Sequence, residues 1–179
     1  MAGYHHLALA VDDMAATHDF YEGVMGWQLV KVEVQPVMTG GWAKHFFYRM
    51  DEGDDTTFIA FWELHGDAKP KGPLDLNAAC GTPPFTQHIS FDVDSLEALK
   101  AKGRMWQAAG CDVVEVDHNW CHSVYTTDPT GNVIEFCLTT GAFMEEDRKD
   151  ALAALEMIDF TPSPPPRLVR RHEGRASPD

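Results

Sequence analysis

Apolar and polar residues alternate from the start of the chain. In "HLALAV" (6–11), Leu7, Leu9 and Val11 fall on one face of an extended segment, and His6, Ala8 and Ala10 on the other. Residues 5–11 are therefore expected to form a strand. The spacing then lengthens to that of a helix over 14–25, with Asp13 placed to cap its start and Gly26 to end it. "WQLVKVEV" (27–34), "GWAKHFFYRM" (41–50) and "TTFIAFWEL" (56–64) read as strands, with "DEGDD" (51–55) as the turn before the last.

The same order is written a second time. "QHISFDV" (87–93) reads as a strand and 94–110 as a helix opened by Asp94, with Glu97 three residues on and Gly110 at its end. Strands follow at 111–117, 121–127 and 132–140, with "DPTGN" as the turn between the last two. A repeat of this length implies two similar βαβββ modules, not a solenoid. The expected organisation is a first module over 1–66, a Pro- and Gly-rich linker over 67–84 and a second module over 85–142. A C-terminal helix over 143–158 and an extended or disordered tail over 159–179, carrying "PSPPP", complete the chain. That tail could form an arm onto a partner subunit.

Composition narrows the field. Of 179 residues 44% are hydrophobic, with five Trp and ten Phe, as in a globular chain. A net charge of −14 argues against nucleic acid and anionic membranes as partners. Six of the 14 basic residues fall between Arg148 and Arg175, so the rest of the chain is poorly equipped to hold a polyanion. No apolar run reaches membrane-spanning length and no secretory leader is evident, so a soluble, cytoplasmic protein is expected. In that setting Cys80, Cys111, Cys121 and Cys137 are expected to be buried thiols, and their spacing matches no zinc pattern.

Aligning the modules sets "HLALAV" over "HISFDV" (88–93). The apolar faces match, and the opposite faces read His6, Ala8, Ala10 and His88, Ser90, Asp92. One histidine among small and polar residues suits a pocket better than a packed core. His5 has the other parity and is expected at the strand's end on the helix side, or in solvent. In "VIEFCL" (133–138) the carboxylate of Glu135 stands within an apolar strand, where an unpaired charge would be costly. His6, His88 and Glu135 are therefore the candidate metal ligands. Two imidazoles and a carboxylate suit Fe(II) and accommodate Mn, Co, Ni or Zn.

The doubled βαβββ order, "HLALAVDDMAATHDFYEGVMGW" and "YTTDPTGNVIEF" resemble the vicinal oxygen chelate superfamily. It includes glyoxalase I, methylmalonyl-CoA epimerase, fosfomycin and bleomycin resistance proteins, and type I extradiol dioxygenases. The resemblance spans roughly 4–142. It implies an α+β fold of two paired modules curled around a metal cavity, with homodimers common. The family's metal positions fall on His6, His88 and Glu135. The fourth ligand of glyoxalase I and the epimerase falls on Ala60, and Glu63 would replace it only if the strand register were shifted by an odd number.

A three-ligand site resembles that of the extradiol dioxygenases, and the scarcity of Lys and Arg speaks against a phosphonate or a glutathione adduct. Tyr125 lies ten residues before Glu135, and a "PTG" loop would set the two opposite each other. In the dioxygenases a Tyr at that spacing hydrogen-bonds the catecholate. His118 and His122 are the candidate acid/base groups, while the facing of His45 and Lys44 stays open. The expected activity is Fe(II)-dependent ring cleavage of a catechol-like small molecule chelated through vicinal oxygens. The alternatives are a glyoxalase- or epimerase-like enzyme working through an enediolate, and a metal-free ligand-binding protein of bleomycin-resistance type.

Overall fold

A computed structural model describes residues 4–51, 56–157 and 162–175, which leaves most of the expected turn at 51–55 outside the described residues. The fold is α+β, and its two sheets repeat one topology. Strands β1 (His6–Val11), β2 (Gln28–Pro36), β3 (Trp42–Arg49) and β4 (Phe58–His65) form the first sheet in the order β1-β4-β3-β2. Strands β5 (His88–Asp92), β6 (Val113–Asp117), β7 (Cys121–Thr127) and β8 (Val133–Thr139) form the second as β5-β8-β7-β6. A further strand, β9 (Leu168–His172), extends the second sheet beyond β6. The chain divides into two units, one of residues 1–89 and 127–134, the other of 90–126 and 135–179.

In the first unit β1 runs parallel to β4, with Ala8 opposite Ala60, and β4 and β3 are antiparallel. The helix expected over 14–25 forms as α1 (Met14–His18) followed directly by a π-helical segment, Asp19–Val24. Asp13 caps it by accepting from the Ala16 amide at 2.9 Å, and Gly26 ends it at φ +75°. The wider π turn carries Tyr21 to complete burial, 4.5 Å from the Phe61 ring and stacked on Trp27 at 5.6 Å. Such a side chain contributes roughly 1.5–3 kcal/mol by leaving water. At the β3 approach Gly41 has φ +81°, and a Cβ there would collide with the His65 carbonyl oxygen.

The stretch expected as linker holds a short helix, α2 (Leu76–Cys80). Asp75 accepts from the amides of Asn77 and Ala78, and the Asn77 side chain bonds both backbone groups of Gln87 at 2.8 Å. These local bonds give order where the Pro and Gly content predicts none. The same unit includes the "DPTGN" turn. There Asp128 accepts from the amides of Thr130 and Asn132 and from the Tyr21 hydroxyl, while Asn132 accepts from the Leu76 amide.

In the second unit α3 (Leu96–Ala108) is capped by Ser95, whose hydroxyl accepts from Ala98, rather than by Asp94. It buries Leu99, Gly103 and Trp106, and Trp106 stacks on Phe136 with centroids 5.1 Å apart. Helix α4 (Glu145–Ala154) buries no side chain. Residues 158–161 and 176–179 lie outside the described residues, but part of the expected tail does not remain an extended arm: β9 pairs antiparallel with β6 of its own chain, Glu115 opposite Arg170. Of the four thiols only Cys121 is buried; Cys80 is exposed.

Candidate functional site

Strand register in the first unit sorts the side chains by face, since residues directly opposite each other share one. His6, Ala8 and Ala10 of β1 share a face with Ala60 and Trp62 of β4 and with His45 and Phe47 of β3. Ala60 is thus on the His6 side. Glu63 is on the other, held by Lys44 at 2.9 Å and lying 3.0 Å from His65. His6 is exposed and its Nδ1 is 2.8 Å from Nδ1 of His5, so one ring donates and the other accepts. His45 is only 7% exposed, lies flat on Trp62 at 3.7 Å, and its Nε2 has no hydrogen-bond partner among the described residues. Burial, then the nearby His6 ring, lower its pKa, and Glu33 partly opposes them.

His88 is exposed at the head of β5, with Nδ1 3.0 Å from the Phe85 carbonyl. A carbonyl only accepts, so Nδ1 carries a proton, and in the neutral form of the ring the lone pair is then on Nε2. That is the tautomer by which an oriented histidine serves as a metal ligand.

In the second unit Tyr125 and Ser123 of β7 pair with Val114 and Val116 of β6 and share a face. The Tyr125 hydroxyl lies 2.9 Å from His118 Nε2 and hydrogen-bonds the side chain of Glu135, which is 4% exposed. The polarity of this chain follows from its members. A carboxylate only accepts, so Tyr125 donates to Glu135 and receives the Nε2–H of His118. Burial first, opposed by the Ser123 hydroxyl and reinforced by the hydrogen bond and charge of Glu135, pushes the phenol pKa well up, so Tyr125 keeps its proton at neutral pH. Beside them Cys121 is pushed up to about 12 by burial and by Cys137.

Tyr125, His118 and Glu135 are therefore brought together, and His122 is not. His122 lies opposite Asp117, on the face of Glu115 and Val124, where its Nε2 is 2.9 Å from Glu115 Oε1. An odd residue separation along one strand sends it away from Tyr125. His6 and His88 belong to the first unit and Glu135 to the second, and among the described residues no three His, Cys, Asp or Glu side chains are gathered to hold a metal ion. The donor types and the His88 tautomer fit a divalent metal; the spatial grouping of a complete ligand set is not among the described contacts. Sequence reasoning assigns no role to His45 or to the Glu115 pairing. A signal for the second exists, because Glu115 and His122 are both polar positions on the strands flanking one short turn.

A family model described as the Glyoxalase/Bleomycin resistance protein/Dioxygenase superfamily matches residues 3–136. No curated protein matches the chain. Among solved structures, a glyoxylase/bleomycin resistance protein/dioxygenase domain from Frankia sp. EAN1pec aligns with TM-score 0.59 at 18% identity, over 78% of this chain and 98% of that one. TnmS3, an antibiotic binding protein from Streptomyces sp. CB03234, aligns with TM-score 0.52 at 20% identity, over 78% and 98%. The fosfomycin resistance protein FosX from Listeria monocytogenes aligns with TM-score 0.52 at 17% identity, over 82% and 98%. At these identities the likeness is one of fold. No helix among the described residues is long and apolar enough to cross a membrane.

Proposed function

The chain belongs to the Glyoxalase/Bleomycin resistance protein/Dioxygenase superfamily, and from that premise we propose that it is a metal-dependent enzyme acting on a small molecule with vicinal oxygens, with extradiol cleavage of a catechol as the specific reaction. The observation that carries this reading is the His118–Tyr125–Glu135 chain of hydrogen bonds. Its metal would be held by His6, His88 and Glu135, and when bound would supply Lewis acidity toward the chelated oxygens. Tyr125 is protonated and gives its proton to Glu135; with that carboxylate committed to a metal, the same O–H would be the donor to a substrate oxygen. His118, with Nε2–H turned to Tyr125, keeps Nδ1 as the nitrogen that can take up a proton. Ala60, in place of a fourth ligand, and Glu63 on the opposite face favour this over a glyoxalase- or epimerase-like site.

The test begins with metal analysis of the purified protein and of His6→Ala. A transition metal in stoichiometric amount that is lost in the variant is expected. Anaerobic Fe(II) loading, followed by oxygen uptake with a panel of catechols, then addresses the reaction. Tyr125→Phe should lower uptake by about a hundredfold, the scale of one acid–base contribution. Metal without oxygen uptake would turn the reading to a lyase or isomerase. A protein that takes up no metal would turn it to a ligand-binding protein, which one observation favours: the open face of His6, Ala8, Trp62 and Phe47 suits an aromatic guest without chemistry.

A further inference from the structure

The second unit contains a cleft of about 250 Å³ between α3 and strands β6, β7 and β9, on the helix side of the sheet and away from Tyr125. Its floor is apolar: Leu99, Gly103, Val113 and Val124. Gly103 faces Val124, and a Cβ there would meet it in ordinary contact at 3.5 Å. The rim is cationic. Lys100 and Arg104 stand one turn apart on α3, and Arg170 and His172 project from the same side of β9.

One carboxylate, Glu115, lies among them. Its oxygens are taken by His122 Nε2 at 2.9 Å and His172 Nε2 at 3.3 Å. Burial opposes its charge, but the hydrogen bonds from His172 and His122, with the charges of His122 and Arg170, outweigh that and hold its pKa below the ordinary range. Three Lys and Arg side chains therefore face one already partnered carboxylate, in a chain whose net charge is −14. Arg104 is partly drawn to Glu97 at 2.9 Å, which leaves Lys100 and Arg170 as the principal cations. The wall that carries Arg170 lies beyond residues 3–136 and so is an addition to the family's segment.

We propose that this cleft binds a small organic acid, with its carboxylate between Lys100 and Arg170 and its apolar body on Leu99, Val113 and Val124. A cationic rim selects the charge, and the floor gives hydrophobic burial to a body smaller than a drug-sized ligand.

Calorimetric titration of the full chain with 3-phenylpropionate, its neutral amide 3-phenylpropanamide and inorganic phosphate tests this. Saturable binding of the acid is expected, with the amide and phosphate each about tenfold weaker or more. Lys100→Gln and Arg170→Gln should each weaken the acid several-fold, since a screened charge-assisted bond is lost. Both side chains are exposed, so folding is not at stake. Tyr125→Phe should leave binding unchanged, and methyl NMR shifts should centre on Leu99, Val113 and Val124. Absence of saturable binding, equal binding of amide or phosphate, insensitivity to both cation variants, or loss in Tyr125→Phe would each overturn the assignment.

Discussion

Asp128→Ala should be among the most damaging substitutions outside the apolar core. The carboxylate accepts four bonds: from the amides of Thr130 and Asn132 at 2.9 Å, from the Tyr21 hydroxyl at 3.0 Å and from Asn132 Nδ2 at 3.2 Å. Tyr21 and Asn132 are fully buried, so water cannot replace the lost acceptor for them. Two stranded side-chain donors at roughly 1–3 kcal/mol each, reduced by no longer burying a charge, give a loss of about 2–4 kcal/mol. Tyr21→Phe removes one donor and leaves the carboxylate three bonds, for about 1–1.5 kcal/mol. Urea unfolding of the full chain measures both. A loss under about 1 kcal/mol in Asp128→Ala, or equal losses in the two variants, would refute the network as what secures this turn. Burial raises the folded pKa of Asp128, and the bonds from Asn132, Tyr21 and Thr130 only partly oppose it. A raised carboxyl pKa contributes stability below the unfolded value of about 3.9 and loses it as pH rises through the folded value. The margin of the native chain over Asp128→Asn should therefore narrow upward from about pH 4.

Trp106→Ala empties a fully buried site against Phe136 and should cost about 3–5 kcal/mol in urea unfolding. Gly41→Ala combines positive φ with a collision at the His65 carbonyl, and should lower the melting temperature by several degrees, whereas Gly23→Ala, with open space around its Cβ, should not. Glu115 has its folded pKa lowered, so its contribution is present above the unfolded value of about 4.3 and is lost as pH falls through the folded one. Glu115→Gln should accordingly flatten the acid limb of the stability profile below about pH 4.5 in a pH series of thermal melts.

Much of this fold is legible in the chain. Strand parity places His6 with Ala8 and Ala60, and puts Tyr125 beside Glu135, because a period of two leaves one choice once an apolar face is assigned. The same parity separates His122 from Tyr125, although nearness in sequence suggests both as partners in one site. "WAKHFFYRM" does not fix which way His45 faces, since both sides of the strand are largely apolar or aromatic. Strand β9 is hidden because "LVRRH" has adjacent apolar and adjacent basic residues instead of an alternation, and gains its order from the β6 backbone it pairs with. Helix α2 is too short to show a period, and the π segment differs from an α-helix in its hydrogen bonds, not in its hydrophobic spacing.

The "DPTGN" turn is coded in the second repeat but folds as part of the first unit. A gene cut at the seam between the repeats would produce a first half in which the Tyr21 hydroxyl and the Leu76 amide both lack their partners. The two halves look interchangeable in topology, yet the first relies on a turn that the second repeat encodes. Shuffling or grafting of a single repeat from this chain would have to carry residues 127–134 along with the first.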